Sequence, residues 1–169
     1  MIDWLKKLEE GISGEIHLGT KFIALLEEKK NSIIKNDIET INGLNKEEND
    51  TIHQIEELGY SRQDLVLQIS NDEKEFRVTE NLNDLIMQIS DDNAVQSLSS
   101  LRKELLKNYN KIAELSKING ELLAQSIGFT QHLFNRISSA DKKVKNGNYS
   151  RYSNQKKTNV QATILKERV

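Results

Sequence analysis

The side chains of this chain best suited to metal ligation, or to proton transfer near neutral pH, are His17, His53 and His132. Their spacing supports neither role. They fall on separate segments, and none lies four residues from another histidine or from a candidate ligand set, as a helical zinc motif requires. The sequence has no cysteine, which removes thiolate metal sites, cysteine nucleophiles and disulfides together. It also has no phosphate-cradling glycine loop, no nucleophile elbow and no inward-facing Glu-x-x-His pair. These absences argue against an enzyme and imply no catalytic residue, no metal and no cofactor.

The chemistry the sequence does support is burial of apolar surface. From Asp92 to Ile137 there is no proline, and Ala94, Leu98, Leu101, Leu105, Tyr109, Ile112, Leu123, Ile127, Phe134 and Ile137 recur at the spacing of one helical face. The spacing predicts one amphipathic helix of roughly 45 residues, about 70 Å long at 1.5 Å per residue. A rod of that length must lie along other rods. At 100° per residue, Leu115, Ile118, Leu122, Phe129 and Leu133 fall beside this stripe, so the apolar arc widens toward the C-terminal half. Either a third helix of the same chain covers the surplus, or the strip is a docking surface for a partner's helix. If it is a docking surface, Leu122 and Leu133 face the partner, and Leu122→Glu weakens binding without changing helicity or the unfolding midpoint.

Composition agrees with elongated helices. The charged fraction is 30% and the aromatic fraction 5%, which suits long helices with narrow seams better than a compact enzyme. No apolar run reaches 18 residues, and Met1-Ile2-Asp3-Trp4 lacks a basic-then-apolar leader. The expectation is a soluble cytoplasmic protein with no stable membrane insertion. Charge is unevenly spread. Residues 139–169 carry eight basic side chains against Asp141 and Glu167, a balance of +6, which leaves −8 on the rest. Tyr149 and Tyr152 could stack on bases, but the acidic body would repel a polyanion, so nucleic acid is not the expected partner.

Toward the N-terminus, Leu5, Leu8, Ile12, Ile16, Ile23, Leu26 and Ile33 mark a first helix from about Ile2, with Gly11, Gly14 and Gly19 read as tolerated. Asn36-Asp37 can cap a renewed helix carrying Ile38, Ile41, Leu44, Ile52, Ile55 and Leu58, with at most a bend between the two. Gly59 in Leu58-Gly59-Tyr60 reads as a stop, and Ser61 with Asp64 as a capping box opening a short helix. A loop over Asn71–Glu75, a Thr79-capped helix over Glu80–Ile89, and caps at Ser90, Asp91 and Asp92 complete the body. Residues 141–158 are rich in Lys, Asn, Ser and Gly and predict disorder in isolation. Val160, Ile164 and Leu165 return to helical spacing, enough for a helix formed on contact.

Three patterns resemble the FlgN-type flagellar export chaperone family, and the likeness in architecture spans nearly the whole chain. Leu58-Gly59-Tyr60-Ser61-Arg62 with Asp64-Leu65 looks like a helix-ending segment of that family. Ile118-Asn119-Gly120-Glu121-Leu122-Leu123 resembles the core of its last long helix, and Tyr149-Ser150 or Tyr152-Ser153 resembles the tyrosine-led motif that follows. The resemblance implies an all-α, elongated antiparallel helical bundle over residues 1–138 with a flexible basic tail over 139–169. It also implies a cytosolic chaperone that binds hook-associated proteins, blocks their premature assembly and delivers them to the export gate. The client-binding residues would be Leu115, Ile118, Leu122, Phe129 and Leu133 with Val160, Ile164 and Leu165 of the tail. A tail tyrosine would contact the gate's cytoplasmic domain, with Tyr149 favoured over Tyr152 by its distance from Asn119. Oligomeric state stays open. A helical scaffold or adaptor unrelated to export has the same periodicity and is the alternative.

Overall fold

The structure, a computed structural model, describes the backbone of residues 3–141 and the side chains of residues 3–135. The described residues form helices α1 (Asp3–Lys35), α2 (Ile38–Asp72), α3 (Leu82–Ile86) and α4 (Asp92–Asp141), with no strand among them. The tail expectations at Tyr149, Tyr152, Val160, Ile164 and Leu165 lie outside the described residues.

Between α1 and α2 the chain reverses completely, where the sequence suggested at most a bend. Asn36 adopts φ 56, its N–H donates to the Ile33 carbonyl (3.0 Å), and the Asp37 N–H donates to the Ser32 carbonyl (2.9 Å). This is the double closure of a Schellman motif, with asparagine in the left-handed position usually held by glycine. Asp37 then caps α2, its carboxylate accepting from the Thr40 N–H at 3.1 Å and the Thr40 hydroxyl at 2.7 Å. Those two bonds favour the ionised form and hold the Asp37 carboxyl below its ordinary range. A β-branched residue pays the full left-handed penalty, so Asn36→Val is expected to cost about 1–2 kcal/mol. The thermal midpoint should fall accordingly, and Asn36→Gly should restore it.

The two helices then run antiparallel. Trp4 with Glu73, Glu15 with Arg62, and Lys29 with Glu48 are bonded pairs centred on the same point of the chain, between residues 38 and 39. The expected stop at Gly59 is not used. Glycine 59 does not adopt positive φ, and α2 continues unbroken to Asp72. The reason is tertiary. Ile55, Arg62, Val66 and Ile69 share one face that is buried against α1, and loss of that face would cost far more than the roughly 1 kcal/mol intrinsic penalty of a helical glycine.

The link to α4 is shorter in helix than the sequence suggested. Thr79 accepts from the Asn81 N–H but does not cap α3; Asn81 does, accepting from the N–H groups of Asn83 and Asp84. Leu82, Leu85 and Ile86 plug the end of the bundle. Asp91 caps α4 through Asn93 and Ala94, within the cap cluster read from the sequence.

Helix α1 lies between α2 and α4 and packs extensively on both. The core is a single cluster running from Leu5 and Leu8 past Ile12, Phe22 and Leu26, joined by Ile55, Val66 and Ile69 of α2 and by Leu98, Leu105, Tyr109, Ile112 and Leu115 of α4. Gly19 is part of this fit and is not merely tolerated. A Cβ there would stand 3.1 Å from Asn108 Nδ2, and the space it leaves lets that amide donate to the Ile16 carbonyl at 3.0 Å.

Candidate partner-binding end of the bundle

The register of α4 on α1 decides what α4 exposes. Three polar side chains set it. Tyr109 Oη donates to Glu15 (2.8 Å), Asn108 Nδ2 to the Ile16 carbonyl (3.0 Å) and Asn119 Nδ2 to the Leu26 carbonyl (2.9 Å), at offsets of 94, 92 and 93 residues. Because residue numbers rise together, α4 runs parallel to α1.

At the centre of this register sits an ion pair that ties all three long helices together. Arg62 Nε donates to Glu15 Oε1 at 2.6 Å, and the side chains are 2% and 0% exposed. Tyr109, itself 2% exposed, donates to the other carboxylate oxygen. Burial and the neighbouring Glu15 charge push the Tyr109 phenol far above its ordinary range, outweighing the opposing effect of Arg62. It therefore stays protonated and serves as a donor. Nothing in the sequence singled out Glu15, since a glutamate at one position of a helix reads as solvated surface until its neighbours are known.

At that register, Lys35, the last residue of α1, stands level with about residue 128 of α4, so α4 overhangs the hairpin tip by about 20 Å at 1.5 Å per residue. The apolar strip predicted on α4 is divided by this geometry. Leu115 is 2% exposed and belongs to the core, so it is not available to a partner; α1 still runs beside α4 at its level. Ile118 and Leu122 are half-buried. Leu122→Glu is therefore expected to cost stability as well as affinity, in contrast to the sequence expectation. Phe129 and Leu133 are 65% and 41% exposed.

The overhang also exposes two side chains that the sequence placed on the inward stripe. Ile127 and Phe134 are 54% and 68% exposed; Phe134 lies beyond the end of α1, and Ile127 stands level with its last turn. Ile34 and Ile38, on either side of the turn, are exposed as well. Between the tip and α4 lies a groove of about 320 Å³ lined by Ile33, Asn36, Ile38, Ile41, Leu123, Ser126, Ile127, Thr130 and Gln131. This groove is not legible in the chain's periodicity, since Ile38 and Ile127 meet there only through the chain reversal.

His17, His53 and His132 are exposed on three different helices. Among the described residues, no three His, Cys, Asp or Glu side chains are grouped to hold a metal ion, and no helix is long and apolar enough to cross a membrane. Comparison with curated proteins and with solved structures finds no match. The family model described as FlgN protein matches residues 1–157. That match takes in all four helices together with the overhang of α4, and the chain belongs to the FlgN family of flagellar chaperones.

Proposed function

We propose that this protein is a cytosolic, non-enzymatic chaperone of the flagellar export system that binds hook-associated proteins through the overhanging end of α4 and hands them to the export gate. The observation that carries this reading is the overhang itself. Phe129, Leu133 and Phe134 stand in solvent on a helix that ordinary packing would have covered, and exposed apolar side chains at helical spacing are what an amphipathic client helix packs against. The mechanism is burial without bond-making. Client leucines and valines removed from water there gain about 25 cal/mol per Å², and client held in this way is withdrawn from self-assembly by mass action.

Titration of the protein with hook-associated proteins tests the reading. Binding at micromolar concentration or tighter supports it, and absence of binding to any of them leaves the scaffold alternative. The tail contributes in this proposal through Val160, Ile164 and Leu165 toward client and through Tyr149 or Tyr152 toward the gate. Deleting residues 139–169 is expected to leave the helical body folded, with the helical far-UV circular dichroism signal per molecule nearly unchanged, while affinity for client or gate falls. Tyr149→Ala is expected to weaken binding to the gate's cytoplasmic domain more than binding to client. Unchanged gate affinity in that variant assigns the contact to Tyr152.

A further inference from the structure

The groove at the hairpin tip adjoins the overhang offered to a client, since Phe134 stands two turns beyond the groove residue Ile127 on the same stripe of α4. The groove's aliphatic lining is Ile33, Ile38, Ile41, Leu123 and Ile127. The rest of its lining is Asn36, Ser126, Thr130 and Gln131, polar but uncharged. At about 320 Å³ it is at the small end of the range for ligand pockets and has the volume of a few aliphatic side chains. A client helix long enough to cover the overhang would be far too large for it.

One segment of this chain fits those terms. After Asp141 the sequence is nearly devoid of aliphatic residues until Val160, Ile164 and Leu165, which are clustered within six positions. The end of α4 lies about 20 Å past the tip, and the residues from 141 to 160 span at most about 60 Å when extended. The cluster can therefore double back to the groove with slack. Attachment to the same chain makes the encounter intramolecular, so a contact of only three side chains can be well populated.

We infer that residues 160–165 of this chain seat in the tip groove when no client is bound, with Val160, Ile164 and Leu165 against Ile38, Ile41, Leu123 and Ile127. The contact is apolar and differs in kind from an electrostatic collapse of the +6 tail onto the −8 body. The same three side chains cannot face the groove and a client together, so client binding through them requires their release. The inference goes beyond the client-binding proposal and stands without it.

The absence of cysteine permits a clean test on the full chain. A nitroxide attached to a Thr158→Cys variant is expected to bleach the methyl signals of Ile38, Ile41 and Ile127 several-fold relative to the reduced label, while those of Leu98 and Leu105 are unaffected. The effect should persist in about 1 M salt, where the Debye length is about 3 Å. It should vanish when Ile164→Asp and Leu165→Asp are added. Intact groove methyls in the labelled protein overturn the proposal, as does bleaching that salt abolishes. Bleaching that appears equally when labelled chain is mixed with unlabelled, isotope-enriched chain assigns the groove to a second copy and overturns it as well. No client enters the measurement, so its failure is separate from any failure of client binding.

Discussion

Arg62→Ala is expected to lower the free energy of unfolding by about 3–5 kcal/mol, the range seen when one partner of a buried ion pair is removed. The magnitude follows from what remains. Glu15 would stay fully buried with its charge compensated by a single phenol donor, Tyr109. Against total stabilities of about 5–15 kcal/mol, such a loss leaves the fold marginal. Urea denaturation followed by circular dichroism gives the number. Replacing Glu15 and Arg62 together by apolar residues of similar volume should recover most of the loss, because a well-packed apolar pair is often as stable as the ion pair it replaces. Tyr109→Phe in that background then removes a hydroxyl that has lost its acceptor. A loss below about 1 kcal/mol in Arg62→Ala would mean that water reaches Glu15 and that the pair does not anchor the three helices.

Changing Phe129 and Leu133 together to glutamate is expected to reduce affinity for a hook-associated client by about two to four orders of magnitude, since burying each such side chain contributes about 1.5–3 kcal/mol and each 1.4 kcal/mol is tenfold in affinity. The unfolding midpoint should hardly move. Both side chains are already in solvent at 65% and 41% exposure, and surface substitutions usually change stability by no more than about 0.5 kcal/mol. Leu115→Glu serves as the contrast. It places a charge in the core at a residue 2% exposed and should unfold the bundle before binding can be read. Calorimetric titration of the folded double variant decides the matter, and undiminished affinity would move the client site off the overhang.

Helices and their facing residues were legible because periodicity is a property of the chain alone. Leu98, Leu105 and Ile112 of α4 and Leu8, Ile12 and Leu26 of α1 are buried where a period of 3.6 placed them. The Asp91 cap of α4 was legible for a similar reason, since a cap is a bond within four residues of its own helix. Gly59 shows where local reading ends. Its turn signal was genuine as chemistry, but burial of Arg62, Val66 and Ile69 against α1 is worth more than the signal.

The candidate site was legible only as a surplus of apolar residues, with no indication of which would be covered. Periodicity cannot separate Leu115 from Leu133, because both lie on the same strip. They differ in whether α1 still runs beside them. That depends on a reversal at Asn36 and on an offset of 92 to 94 residues set by Asn108, Tyr109 and Asn119.

Periodicity alone establishes that this protein is built of long amphipathic helices, the phase of their apolar faces and that one helix carries more apolar surface than a single seam uses. Helix packing made Glu15 a buried anchor, left Ile127 and Phe134 exposed, and opened a groove between Ile38 and Ile127. The physical reason is that helical phase is set by neighbours three and four residues apart, whereas exposure is set by where other helices stop.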